Sequence, residues 1–177
     1  YYYGEKIYLN ASFEMITICF DATVSNEQKE ALIRDEPTLE YISDETLPFG
    51  LALVVTERDL HKHEISQAIE RLNELPEIKY STPVFQFQNM KLILMDEFIV
   101  RFKPDIKEEY IEILNKENAL SVVRKSPYRH NRYVLRLINP KDKNAVQMAN
   151  TYNENPGVEY GTPNFIVLGG YQNTYPD

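Results

Sequence analysis

Residues 155–165 read NPGVEYGTPNF, and residues 75–85 read LPEIKYSTPVF. In each, a proline (Pro76, Pro156) leads to a β-branched residue (Ile78, Val158), a charge (Lys79, Glu159) and a tyrosine (Tyr80, Tyr160). After one intervening residue come Thr-Pro (Thr82-Pro83, Thr162-Pro163) and, two positions further, a phenylalanine (Phe85, Phe165). A short chain that repeats itself this way is built from two copies of one unit. The 177 residues then divide into two units of roughly 85, each large enough for its own core.

The repeat extends well beyond the motif. Ile65, Ala68, Ile69 and Leu72 recur 80 positions later as Ala145, Met148, Ala149 and Tyr152. Phe20 recurs 82 positions later as Phe102, and Leu51, Leu53 and Val55 map at the same spacing onto Tyr133, Leu135 and Leu137. Even a lead-in recurs, KIYL from Lys6 and KLIL from Lys91.

Periodicity supplies the elements. DEFIVRF (96–102) predicts a strand, and IKEEYIEILNKEN a helix with Ile106, Tyr110, Ile113 and Leu114 on one face. LSVVRKS (120–126) and RYVLRLI (132–138) predict two more strands, the second with Tyr133, Leu135 and Leu137 on one face. Ala145, Met148, Ala149 and Tyr152 keep helical spacing, and Asn155-Pro156-Gly157 stops that helix before the strand VEYGTPNFIVL. Pro163 places this strand at a sheet edge or end. The first half repeats the order with MITICF, NEQKEALIRDE, LEYIS, GLALVVT, the helix around Ile65–Leu72, and IKYSTPVFQF. The expected fold is α+β: two tandem ferredoxin-like β-α-β-β-α-β units, residues 1–88 and 89–177, each an antiparallel sheet with both helices on one face. The opposite face is expected to be open and to carry the function.

An apolar content of 43% supports packed cores, and the longest apolar run, LALVV (51–55), is strand-sized, so no membrane partner is expected. The single cysteine, Cys19, lies in MITICF and reads as a buried thiol. A net charge of −8 and a pI near 5.0 argue against a nucleic-acid partner, which needs a basic surface. The one basic cluster, RKSPYRHNR (124–132), reads as a solvated turn.

Catalytic signatures are missing. His61 and His63 stand two apart, which a helix does not put on one face, and no second cluster completes a metal shell. There is no G-x-S-x-G elbow, P-loop or C-x-x-C. The expectation is a binding protein without catalytic residues, metal or cofactor.

The second unit resembles the N-terminal propeptides of subtilisin-like serine peptidases, above all the fervidolysin-like kind. The resemblance rests on DEFIVRFKP, RYVLRL and the run Asn155, Pro156, Gly157, Val158, Tyr160, Pro163 and Asn164, with Gly161-Thr162 standing where that family has Ala-Glu. The opening YYYGEKIYL is similar to the start of secreted bacterial subtilases, although no secretory apolar run precedes it. The resemblance implies a secreted or cell-envelope protein that folds a subtilisin-like peptidase domain as an intramolecular chaperone and then inhibits it. The open sheet face would dock on the peptidase. Asn164, Phe165, Ile166, Val167, Leu168, Gly169, Gly170 and Tyr171 would lie along the substrate cleft, by strand addition. Glu154 and Glu159 would cap helix N-termini of the peptidase. A stand-alone inhibitor of the same build is an alternative.

Two rival readings share the topology. One is a regulatory module clasping a small molecule between the units. The other is a single-strand RNA binder, which needs exposed aromatics such as Tyr133 and Phe98 in a basic setting; the acidic balance argues against it.

Overall fold

In the computed structural model, residues 8–43, 47–57 and 60–168 are described. They form two compact units. The N-terminal unit comprises Leu9–Ile93 and takes in Ile166 to Leu168; the C-terminal unit comprises Leu94–Phe165 and takes in Tyr8.

The N-terminal unit holds β1 (Asn10–Phe20), α1 (Asn26–Asp35), β2 (Leu39–Ile42), β3 (Leu51–Thr56), α2 (Lys62–Glu74) and β4 (Ile78–Phe87). Its strands lie in the order β2-β3-β1-β4, antiparallel throughout. The C-terminal unit holds most of β5 (Met90–Phe102), then α3 (Glu108–Glu117), β6 (Leu120–Lys125), β7 (Arg132–Leu137), α4 (Ala145–Asn153) and β8 (Val158–Leu168). Its order is β6-β7-β5-β8. Both are the ferredoxin-like arrangement, with the first strand of the unit between its third and fourth.

Helix starts follow from side chains able to take up orphan amide groups. Ser25 and Gln28 cap α1 reciprocally, as Asn144 and Gln147 cap α4. At the far end, each unit uses one asparagine to fix its second helix to its last strand. Asn73 Oδ1 accepts from Ser81 N–H at 2.6 Å. Asn153 does the same for Gly161 N–H at 2.8 Å and returns a hydrogen bond from Nδ2 to Gly161 O. Gly161 is needed for a close approach, because a Cβ there would stand 2.9 Å from the Ala149 carbonyl oxygen.

Helix α4 buries the expected stripe of Ala145, Met148, Ala149 and Tyr152. Helix α3 does not. Its buried residues are Ile111 and Asn115, while Tyr110 and Ile113 are exposed. Asparagine occupies a core position because the Tyr152 hydroxyl, also buried, donates to Asn115 Oδ1 at 2.8 Å. The expected face was rotated by the polar residue hidden in it.

The two sheets differ on the face away from their helices. In the N-terminal unit Ile16, Ile18, Phe20 and Val54 pack beneath the helices with Ile33 and Leu72. The alternate residues are buried as well: Cys19, Leu51, Leu53, Tyr80, Val84 and Ile93 form a second cluster, with Ile166 and Leu168 packed on it. The expected open face is therefore absent in this unit. Strand register also corrects the repeat alignment by one residue. Ile18 pairs with Ala52, and its counterpart Val100 pairs with Tyr133, so Tyr133 corresponds to Ala52 and Arg132 to Leu51. A one-residue slip exchanges the faces of a strand.

Candidate nucleic-acid interface on the C-terminal unit

Phe98 and Phe102 pack their rings edge-on against Tyr152, with centroids 5.1 and 6.1 Å away. Tyr133 meets Phe102 the same way. These aromatics therefore face the helices, as do Val100 and Leu135, all buried. Strand alternation puts Glu97, Ile99 and Arg101 of β5, and Arg132, Val134 and Arg136 of β7, on the other face. Register sets Arg101 opposite Arg132, Ile99 opposite Val134 and Glu97 opposite Arg136. On β6, Arg124 lies opposite Val134 and Ser121 opposite Arg136. Four arginines thus share one face of an acidic chain.

They are not equivalent. Arg136 is tied down by the buried Glu97, bonded to its Nε at 3.1 Å and also to its terminal nitrogen, with Asp96 3.7 Å away. Arg101 Nε lies 3.0 Å from a Glu159 carboxylate oxygen, but outside hydrogen-bond geometry. Arg132 has no ion pair among the described residues, and its Nε is buried without a hydrogen bond. Arg124 is exposed at the sheet edge.

The stretch expected to be a solvated turn is thus the joint between two strands of this face. Asn131, buried and at φ 52°, a region asparagine tolerates, donates from Nδ2 to Lys103 O and Ile106 O at 3.1 Å each. Ser126 N–H donates to Arg132 O at 2.8 Å. Between these anchors Tyr128 stands 95% exposed, beside Arg129. Lys125 points to the opposite, helical side. The Glu108 carboxylate 2.6 Å away, and next the Tyr133 hydroxyl, raise its pKa above the ordinary lysine value.

The residues expected to bind a peptidase are dispersed. Asn164 and Phe165 belong to the C-terminal unit, whereas Ile166 and Leu168 pack on the second cluster of the N-terminal unit; Val167 is partly exposed. Gly169, Gly170 and Tyr171 lie outside the described residues. Glu159 is engaged with Arg101, and Glu154 ends α4, its N–H donating to Asn150 O at 3.2 Å. The His61 and His63 rings stack at 6.0 Å, and no group of three metal-ligating side chains comes together among the described residues.

No protein-family model matches the chain, and no curated protein matches it. The solved structures similar to it include two of related description. One, described as a Sxl-lethal protein/RNA complex, is 10% identical over 86% of this chain and 98% of that chain, with a TM-score of 0.37. The other, Sex-lethal RNA recognition domains 1 and 2 from Drosophila melanogaster, is 12% identical over 91% of this chain and 100% of that chain, with a TM-score of 0.28. Likeness at this level adds nothing to the strand order and the arginine array, on which the functional reading rests.

The propeptide expectation is corrected by the packing of this chain. The N-terminal sheet has no free face to dock on a peptidase. Ile166 and Leu168 of the supposed cleft-filling segment pack on the second cluster of the N-terminal unit. The chaperone and inhibitor roles, as propeptide or as stand-alone inhibitor, fall with it, and secretion loses its only support. The small-molecule module gains no support either. The exclusion of a nucleic-acid partner is also corrected, since net charge conceals a local basic face.

Proposed function

We propose that the chain is a non-enzymatic binding protein whose C-terminal unit holds single-stranded nucleic acid by its phosphates, across β6, β7 and β5. The observation that carries this is the row Arg124, Arg132 and Arg101 on three adjacent strands, continued by Arg129 and exposed Tyr128 in the β6–β7 joint. Neighbouring strands lie ~4.8 Å apart, so the row supports contact with successive backbone groups rather than with one ion. Guanidinium planes and the Tyr128 ring can stack on unpaired bases. With Phe98 and Tyr133 turned inward, the sheet offers no aromatic platform, which favours weak sequence preference.

The test is fluorescence anisotropy with labelled oligouridine and oligothymidine of about 12 nucleotides, within the ~4–16 nucleotides that an OB-fold single-strand binder covers. Three guanidiniums without ion pairs among the described residues (Arg124, Arg129, Arg132) predict a log K against log salt slope of about −2. Arg124→Ala with Arg132→Ala should weaken binding on every sequence alike and flatten the slope. Binding that ignores both salt and this double substitution would reject the reading.

A further inference from the structure

Resting on that reading, we infer that the pair Arg101 and Arg132 is a phosphate position, and that the Glu159 carboxylate, reaching Arg101 from β8, competes with the phosphate for Arg101. The two arginines stand directly opposite each other on β5 and β7, an arrangement that destabilises a sheet when both residues carry the same charge. Glu159 answers Arg101 alone, and Arg132 has no ion pair among the described residues. Neither Nε has a hydrogen bond, although each is a donor removed from water, and such donors are costly to leave unmade. Arg136 gives the contrast: Glu97 and Asp96 both hold it, and it has no shortage of acceptors.

The repeat shows that the fold does not require these charges. At the corresponding positions in the N-terminal unit Cys19 pairs with Leu51, both buried and apolar. The counterpart of Glu159 there is Lys79, which reaches Asp21 at 4.0 Å. A phosphodiester carries the same charge as Glu159, and its oxygens suit the guanidinium fork in the bidentate geometry that strengthens such bonds. Arg101 and Glu159 are both about one-third exposed, at 35% and 30%, so the exchange can occur without opening the core.

The experiment follows the Nε–H resonances of Arg101 and Arg132 in the full chain while inorganic pyrophosphate, and separately oligouridine, is added. Both resonances should shift with either probe. Glu159→Gln should tighten oligouridine binding ~2–5-fold, the range of an exposed ion pair removed from competition. Glu154→Gln, at the exposed end of α4, should change nothing. Pyrophosphate shifts without oligouridine binding would overturn the nucleic-acid reading and leave the phosphate position standing. Unmoved Nε–H signals with both probes, or equal affinity for Glu159→Gln and the parent, would overturn the inference.

Discussion

In the N-terminal unit Cys19, Leu51 and Leu53 fill the sheet face away from the helices; in the C-terminal unit the same positions hold Arg101, Arg132 and Val134. The helix-facing layers remain alike, Ile18 and Val54 answering to Val100 and Leu135. One copy of the unit has made its second face into core, covered in part by Ile166 and Leu168, and the other has kept it for charge. The difference teaches that duplication preserves the layer that folds the unit and frees the layer that does not.

The sharpest way to break this comparison is to put the same charge into both faces. Leu53→Asp buries a carboxylate at a site 1% exposed and should cost more than about 4 kcal/mol, enough to unfold the N-terminal unit. Val134→Asp, its counterpart, should change stability by less than about 1 kcal/mol. Urea unfolding of the two variants gives the answer, and equal losses would mean that the second faces are alike. Gly161→Ala comes next, at ~1–3 kcal/mol by overpacking against the Ala149 carbonyl; Ser81→Ala, at the equivalent position, removes only a hydroxyl.

The helix-facing layer has one polar exception to exploit. Asn115 and Tyr152 stand where the first copy has Ile33 and Leu72. Burial, and to a smaller extent Tyr110, raises the Tyr152 phenol above its ordinary pKa. Asn115→Ile or Tyr152→Phe alone should cost ~1–3 kcal/mol by orphaning the partner. Together they should cost less than the sum in a double-mutant cycle; additive losses would show that the pair is not coupled.

A smaller effect separates the units by pH. Burial alone would raise the Glu36 carboxyl, but hydrogen bonds from Arg71 and Thr38 outweigh it and hold the pKa below the ordinary 4.5. A lowered carboxylate pKa stabilises the fold above the ordinary value, and this is lost as pH falls through the folded-state value. Melting of the N-terminal unit should therefore fall with acid below pH 4.5, and Glu36→Gln should flatten that dependence. Least of all, Ala119→Gly should stabilise the C-terminal unit by ~1 kcal/mol or less, since Ala119 follows α3 at φ 51°.

Much of this was legible. The duplicated motif and the stripes of α2 and α4 state the β-α-β-β-α-β order, because apolar periodicity is the signal that the core imposes. One thing was hidden for a physical reason. Asn115 looks like a surface residue until Tyr152 is known to lie against it. The second faces were also written in the strands. LALVV has no polar alternation, as in a strand buried on both sides, whereas RYVLRL alternates arginine with apolar residues. Reading only the apolar half of RYVLRL left Arg132 and Arg136 unassigned. Net charge then misled, because a sum over 177 residues says nothing of where the arginines meet.

The most direct test of the central claim is amide chemical-shift mapping of the whole chain titrated with oligouridine at low salt. Shifts confined to β6, β7, the β6–β7 joint and the Arg101 end of β5, with β1 and β3 silent, are the predicted result. Shifts centred on the N-terminal unit, or none at saturating oligouridine, would contradict it.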